Sequence, residues 1–159
     1  ARGAYLMRDF RAGKPRMGTV FVQGASCTAN LVTALPDLDR AGINVKIVAA
    51  LRPQLFARQP AAYRESVLGP ADRIDAMGIT NRSRDSIRRW TANDAGMDYT
   101  LAADWDDRWR TGGSVEEVVE EAHLDPQSML SGIERFVRER DERLARIEQH
   151  VAAARARLA

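Results

Sequence analysis

The sequence predicts an α/β protein with three layers, in which a mostly parallel sheet lies between helices. The run Thr19–Gln23 is β-branched and aromatic and ends at Gly24, which predicts a buried strand and a tight turn. A second apolar run covers residues 43–50. Apolar residues at three- and four-residue spacing between the two runs predict a helix. Two strands joined by a helix are expected to be parallel.

The helix between these strands has recognisable ends. Ser26, Thr28 or a near neighbour is expected to cap its start. Pro36 is expected to kink it or end its regular part. The pair at residues 41–42 closes it, because glycine accepts the left-handed conformation that follows a helix.

Further elements continue this pattern. Residues 54–68, interrupted by Pro60, predict two short helices, and residues 71–79 and 97–103 predict a third and a fourth strand. Residues 83–91 predict a helix, and residues 93–96 predict a turn. Ser114 and Glu117 form a capping-box pattern, and Asp125 is expected to cap another helix.

The last helix carries a seam of residues at alternating four- and three-residue steps, and only an arginine interrupts its apolar character. Its members are Ile133, Val137, Arg140, Leu144, Ile147, Val151, Ala154 and Leu158. Acid-first pairs at i,i+4 flank it, namely Glu134–Arg138, Glu139–Arg143 and Glu142–Arg146. This spacing favours a coiled coil or docking along another helix, and leaves packing within the chain and pairing between subunits equally open.

These elements predict three parts: a linker or connecting segment at 1–17, an α/β domain at 18–128 and a long amphipathic C-terminal helix at 129–159. The first residue is not methionine, which indicates a processed product or a fragment of a longer chain.

Composition excludes some classes of partner. Lys and Arg number 24 and Asp and Glu number 22, a balance that disfavours nucleic-acid binding. No apolar run approaches the roughly 20 residues of a membrane span. The single cysteine, Cys27, excludes an internal disulfide and indicates a reducing, cytoplasmic location.

Candidate nucleophiles lie at the first strand-to-helix turn. Ser26 has no glycine two residues later, where a hydrolase elbow requires one, because that position is Thr28. His123 and His150 are the only histidines in the sequence. We therefore expect Ser26 to be a helix cap and Cys27 a small packed residue. A lowered thiol pKa at the helix N-terminus is the alternative for Cys27.

Two clusters of charged residues can each be interpreted as a binding site or as an ordinary solvated surface. Asp104, Asp106 and Asp107 adjoin arginines, and a salt-bridged loop is expected rather than a metal site. Trp105 and Trp109 in that loop pack either locally or against a neighbouring domain. A basic group is expected to be a solvated helix face rather than a phosphate site; it consists of Arg82, Arg84, Arg88 and Arg89. The sequence thus predicts no catalytic, cofactor-binding or metal-ligating residue.

Four segments together resemble the C-terminal domain of transketolase. They are residues 18–24 with the helix that follows, residues 42–48, residues 53–59, and the run Tyr-Arg-Glu-Ser-Val-Leu at 63–68. The resemblance covers residues 18–79 and, loosely, residue 96 to the final helix. Residues 106–114 depart from the family, which has a glycine-rich segment ending in Ser-Ala-Pro there.

The resemblance implies the three-layer fold and a role outside the chemistry. Transketolase-like enzymes transfer a two-carbon ketol unit using thiamine diphosphate and a divalent metal, which other domains hold. It therefore implies a non-catalytic C-terminal domain, or separate small subunit, that serves subunit packing and assembly and is expected in a homodimer. Alternatives are the C-terminal domain of a homodimeric pyruvate dehydrogenase-type enzyme, a stand-alone module dimerising through the terminal helix, and a small enzyme using the Ser26/Cys27 turn.

Overall fold

The computed structural model describes residues 1–108, 110 and 112–158, and these residues form one sheet of five strands in the order β1-β3-β2-β4-β5. Strand β1 pairs antiparallel with β3, and the other neighbours are parallel. This arrangement confirms the predicted mostly parallel sheet. The strands are β1 (Ala4–Arg8), β2 (Thr19–Gln23), β3 (Lys46–Ala50), β4 (Ala76–Thr80) and β5 (Leu101–Ala102).

Helices cover both faces of the sheet, as predicted for a three-layer protein. The helices are α1 (Ala25–Arg40), α2 (Pro53–Ala57), α3 (Ala61–Val67), α4 (Asp94–Met97), α5 (Val115–Glu121), α6 (Pro126–Arg138) and α7 (Arg140–Ala156), with 3₁₀ turns at Pro70–Arg73 and Arg84–Ile87. Helices α1 and α6 share one apolar core cluster, and α2 and α3 contact the other. None of the helices in the described part of the chain is both long and apolar enough to cross a membrane.

Strand β2 lies at the centre of both core clusters. Val20 and Val22 belong to the cluster beneath α1 and α6, and Phe21 belongs to the opposite cluster. All three side chains are fully buried. Because successive side chains of a strand point to opposite faces, a continuous apolar run is what a strand covered on both faces requires.

Helix α1 differs from its prediction at its start and in its middle. Its N-cap is Gly24, without a side-chain cap, and the Thr28 hydroxyl donates to the Gly24 carbonyl at 2.8 Å. Ser26 and Thr28 therefore lie inside the helix, and the N-cap is a near neighbour, Gly24, so the expectation that Ser26 is the cap is wrong. The helix also continues through Pro36 to Arg40. Pro36 supplies no N–H to the carbonyl of Val32, and this missing hydrogen bond falls at a residue that is 47% exposed.

Three elements after α3 were predicted too long. Residues 71–75 do not join a strand, because Pro70 begins a 3₁₀ turn in which the Asp72 carboxylate accepts from the Gly69 N–H at 2.8 Å. The predicted helix at 83–91 is only the turn Arg84–Ile87. The predicted strand at 97–103 is reduced to β5, because Asn93 caps the short helix α4 just before it.

The first 17 residues, predicted as a linker or connecting strand, contain edge strand β1. The polar stretch after β1 is held by Asn44, which is fully buried. Its side-chain oxygen accepts from the Arg11 N–H at 2.8 Å, and its Nδ2 donates to the Pro15 carbonyl at 3.0 Å. This stretch is thus bound to the domain.

A long C-terminal helix is present as α7, but the predicted helix at 129–159 is divided at Glu139, whose φ of −93° and ψ of 21° leave helical geometry. The predicted seam is only partly covered. Ile133 is buried in α6, Leu144 and Ile147 are half-buried in α7, and Leu158 is 88% exposed.

Candidate functional site at the carboxyl edge of the sheet

A crevice opens where β2 and β3 end. Helix α1 leaves β2 on one face of the sheet, and α2 leaves β3 on the other, so the two connections diverge. In open parallel sheets ligands bind in the crevice formed at such a point. The cleft here has a volume of about 410 Å³ and is lined by Gln23, Gly24, Leu51, Arg52, Pro53, Gln54 and Arg82.

The Gln23 side chain forms the inner wall of this crevice. Only 8% of the residue is exposed. Its Oε1 accepts from the Ser86 hydroxyl at 3.0 Å and from the Thr80 hydroxyl at 3.3 Å. The Gln23 amide nitrogen has no hydrogen-bond partner among the described residues. Two neighbours thus hold the amide by its oxygen and leave its N–H groups available.

Gly24 contributes its backbone atoms to the wall of the crevice. Its φ of 103° lies in the region that favours glycine. A Cβ there would lie 2.4 Å from Asn81 Oδ1, so the position also leaves no room for a side chain. Asn81 Nδ2 in turn donates to Ser26 Oγ at 3.3 Å. The start of α1 is thereby fixed against the end of β4.

The structure does not support a nucleophile at this turn. Ser26 is exposed, and its hydroxyl contacts the Asn81 amide rather than a histidine. Cys27 is 1% exposed, and this burial raises the pKa of its thiol to about 11. The alternative of a lowered thiol pKa is therefore wrong. His123 stacks on Trp105 with ring centroids 4.4 Å apart, and His150 is exposed on α7.

The four arginines of the predicted basic group do not form one helix face. Arg82 lines the crevice. Arg88 pairs with Asp94 at 2.5 Å. The Arg84 backbone N–H donates to Asp104 at 2.9 Å. Arg89 lines a separate cavity of about 460 Å³ beside α2 and α3. Arg52 and Gln23 were not identified from the sequence as candidate site residues. They lie next to Arg82 only because the ends of β2, β3 and β4 meet in the folded sheet.

The acidic loop is salt-bridged, as predicted. Asp106 accepts from Arg108 at 2.8 Å and from Arg110 at 3.0 Å, and the Arg108 hydrogen bond is the main cause that lowers the pKa of Asp106 to about 2. No cluster of three or more metal-ligating side chains occurs within residues 1–108, 110 and 112–158. Trp105 packs locally, since its Nε1 donates to the Glu121 carbonyl at 3.3 Å. Trp109 lies outside the described residues.

A second candidate feature is the attachment of α7 to the rest of the domain. Arg143 is fully buried, and its Nη2 lies 2.7 Å from Asp75 Oδ1. Its Nη1 donates to the Phe136 carbonyl at 2.5 Å, and its guanidinium lies 3.7 Å from the centroid of the Phe136 ring. Arg140 binds the other oxygen of Asp75 at 2.6 Å. Two arginines on one carboxylate fix the first turns of α7.

These contacts replace the local pairs predicted from sequence. The ion pairs of the described residues include none of the three predicted acid-first pairs. Arg143 pairs with Asp75, Arg146 with Asp98, and Arg138 with Glu139. For Arg143 and Arg146, an acceptor on the folded domain outcompetes an exposed pair on the helix, which is worth only about 0.2–0.5 kcal/mol.

Beyond these contacts α7 leaves the domain. Every residue from 148 to 158 is exposed, including Val151 at 48%. The last turns of α7 therefore present both their apolar and their polar side chains to solvent.

Comparison with known proteins gives one family. The family model described as "Transketolase-like TK C-terminal domain" matches residues 3–101. A transketolase of Cereibacter sphaeroides is 45% identical over 75 residues, which are 46% of this chain and 11% of that protein. Transketolase 1 of Escherichia coli is 37% identical over 71 residues, 45% of this chain and 10% of that protein. The match thus spans about a tenth of each relative.

Solved structures show the same fold. Transketolase from Campylobacter jejuni has a TM-score of 0.60 at 17% identity, over 83% of this chain and 18% of that chain. A Pichia stipitis transketolase has a TM-score of 0.61 at 16% identity, over 86% of this chain and 18% of that chain. A structure described as "Split gene transketolase, inactive beta4 tetramer" has a TM-score of 0.53 at 11% identity, over 88% of this chain and 44% of that chain.

Replacing Arg143 by methionine is expected to lower the free energy of unfolding by about 3–5 kcal/mol, because Asp75 is left as a largely buried carboxylate with one partner lost. Urea unfolding followed by circular dichroism measures this loss. Arg146→Met is the matched control and is expected to cost less than about 1 kcal/mol, since its pair with Asp98 is half-exposed. Equal losses in the two variants would contradict a buried anchor.

The Cys27 thiol is expected to react slowly. With its pKa raised from 9.0 to about 11, its thiolate fraction at pH 8 is about a hundredfold below that of a free thiol. Alkylation by iodoacetamide, followed by mass spectrometry, is expected to be at least that much slower in the folded chain than in urea. Ser26→Cys on a Cys27→Ala background, an exposed neighbour, is expected to react at an ordinary rate. Fast alkylation of folded wild-type chain would revive the nucleophile hypothesis.

Proposed function

This chain belongs to the transketolase-like TK C-terminal domain family, and we propose that it serves a cytoplasmic, transketolase-like enzyme as a non-catalytic domain or separate small subunit. Its role in that enzyme is subunit packing and assembly. Ketol transfer takes place on other domains, which hold thiamine diphosphate and a divalent metal.

The residues available in this chain support the placement of the cofactor elsewhere. The crevice is lined by two arginines and, within the described part of the chain, contains no carboxylate, the side chain that usually holds a divalent metal beside a phosphate. The described residues also contain no cluster of three or more metal-ligating side chains. These residues therefore do not fit the metal that accompanies the cofactor diphosphate.

The observation that supports the assembly role is that the two ends of α7 differ in their contacts with the domain. Its first turns are fixed to the domain by Arg140 and Arg143, and residues 148–158 extend beyond it with all side chains exposed. A helix held rigidly at one end loses little conformational entropy when the other end meets a partner. We assign this outer part to contact with other domains or with a second copy of the chain.

Two alternatives keep the same fold. The first alternative, the C-terminal domain of a homodimeric pyruvate dehydrogenase-type enzyme, rests on the fold alone, and the 45% and 37% identity to two transketolases favours a transketolase-like parent enzyme. A stand-alone module dimerising through α7 is the second alternative. The name "Split gene transketolase" describes an enzyme whose transketolase sequence is divided between genes, which favours the separate-subunit form over the stand-alone module.

Replacing both Val151 and Leu158 by glutamate is expected to weaken the association of two copies of the chain. Val151 lies in the outer turns of α7 and Leu158 lies seven positions later, two residues beyond the end of the helix, and both are exposed in the single chain. Sedimentation equilibrium is expected to show a wild-type dimer and a dissociation constant raised at least about tenfold in Val151→Glu/Leu158→Glu. Ala153→Glu, placed about 200° around the helix from Val151, is the control and is expected to dimerise normally. A monomeric wild-type chain would contradict homodimer pairing through α7.

Thiamine diphosphate with Mg²⁺ is expected to show no binding to this chain tighter than about 0.1 mM in isothermal titration calorimetry, because the metal ligands lie on other domains. A full-length transketolase is the positive control. Tight, magnesium-dependent binding to this chain would place the cofactor site here and overturn the proposal.

A further inference from the structure

We propose that the crevice between the carboxyl ends of β2 and β3 binds the phosphate group of a small phosphorylated molecule. This site goes beyond the packing role proposed above. It rests on two kinds of donor that line one cleft, two arginine side chains and the side-chain amide of the buried residue Gln23, with the start of α1 beside them.

The charge of the crevice is uncompensated. Arg52 and Arg82 both line it, both are exposed, and neither forms an ion pair within the described residues. None of the seven lining residues is acidic. Elsewhere in the domain arginines meet carboxylates, as Arg88 and Arg110 do with Asp94 and Asp106. Two unpaired guanidinium groups at one cleft are complementary to a doubly charged anion.

The Gln23 amide adds a donor that is already in place. The residue is more than nine-tenths buried, and the Thr80 and Ser86 hydroxyls hold its oxygen. Its amide nitrogen is left unpartnered among the described residues at the inner wall of the cleft. A donor whose rotamer is fixed beforehand binds an anion with little further loss of entropy.

The start of α1 provides the third contribution. This 16-residue helix has no side-chain cap, and its first backbone bond is from the Thr28 N–H to the Gly24 carbonyl at 3.0 Å. The N–H groups of residues 25–27 precede that bond, so the positive end of the helix dipole is not neutralised. Gly24 lines the cleft, and the Asn81 side chain occupies the space where a Cβ of Gly24 would lie. The start of α1 thus adds a positive potential beside the cleft, although residues 25–27 are not among its lining residues.

The cleft dimensions suit a small ligand. Its volume of about 410 Å³ lies at the lower end of the range of small-molecule sites. Leu51 and Pro53 give it an apolar side next to the two arginines. A phosphate monoester with a short carbon chain fits both features, with its phosphate on the arginines and its carbons against Leu51 and Pro53. Inorganic phosphate has the same contact with the arginines but has no carbon atoms to pack against Leu51 and Pro53.

The test is a titration of the ¹⁵N-labelled chain, observed by two-dimensional NMR, with three probes: sn-glycerol 3-phosphate, inorganic phosphate and glycerol. We expect saturable shifts of the Gly24 and Arg82 backbone amides and of the Gln23 side-chain amide with both phosphates and none with glycerol. Tighter binding of glycerol 3-phosphate identifies a phosphomonoester site, and tighter binding of inorganic phosphate identifies a site for the free ion; either supports the proposal. Absence of saturable shifts at these three groups overturns it.

Variants separate this site from general attraction of anions. Arg52→Gln/Arg82→Gln is expected to raise the dissociation constant at least about tenfold. Arg16→Gln/Arg58→Gln removes the same charge from exposed positions outside the crevice and is expected to change the dissociation constant less than about twofold. Gln23→Glu, which keeps the size and the acceptor oxygen but replaces the amide nitrogen, is expected to weaken binding as well. Equal weakening by the control pair overturns the proposal.

Discussion

Parallel pairing on both edges of β2 is the constraint on which the structure depends. The strand is hydrogen-bonded to β3 on one side and to β4 on the other, and both of its faces are buried. Neighbouring parallel strands cannot be joined by tight turns, so helices must cross the sheet, and here they leave β2 and β3 on opposite faces. The crevice at the carboxyl edge follows from this divergence, because no backbone closes the space between the two connections.

The opposite edge of the sheet is organised by Asp75. Its carbonyl accepts from the Thr19 N–H at 2.9 Å where β2 begins, and its carboxylate binds Arg140 and Arg143. The position of α7 is thereby coupled to the register of the central strand. A buried pair of this type contributes little net stability compared with apolar packing, yet losing one partner is costly. We therefore interpret it as a device that specifies where α7 attaches and in which direction it leaves.

Local patterns predicted many elements well. The strand at Thr19–Gln23, the two short helices around Pro60, the capping box at Ser114 and the Asp125 cap all occur as predicted. Each depends on residues within a few positions of one another. The predictions at 71–75 and 83–91 were wrong because turn contacts there, such as Asp72 with the Gly69 N–H, outcompete weak apolar periodicity.

The sequence by itself determined the fold class, the family resemblance and the main strands, because a strand that is buried on both faces consists of consecutive apolar residues. It did not determine which charges are neutralised. Arg143 follows the spacing of an exposed helix residue but is buried against Asp75, 68 positions earlier. Arg52 and Arg82 belong to different segments and become one cationic cleft only when strands β2, β3 and β4 align. Electrostatic partners depend on distance in space, and only the tertiary structure decides that distance.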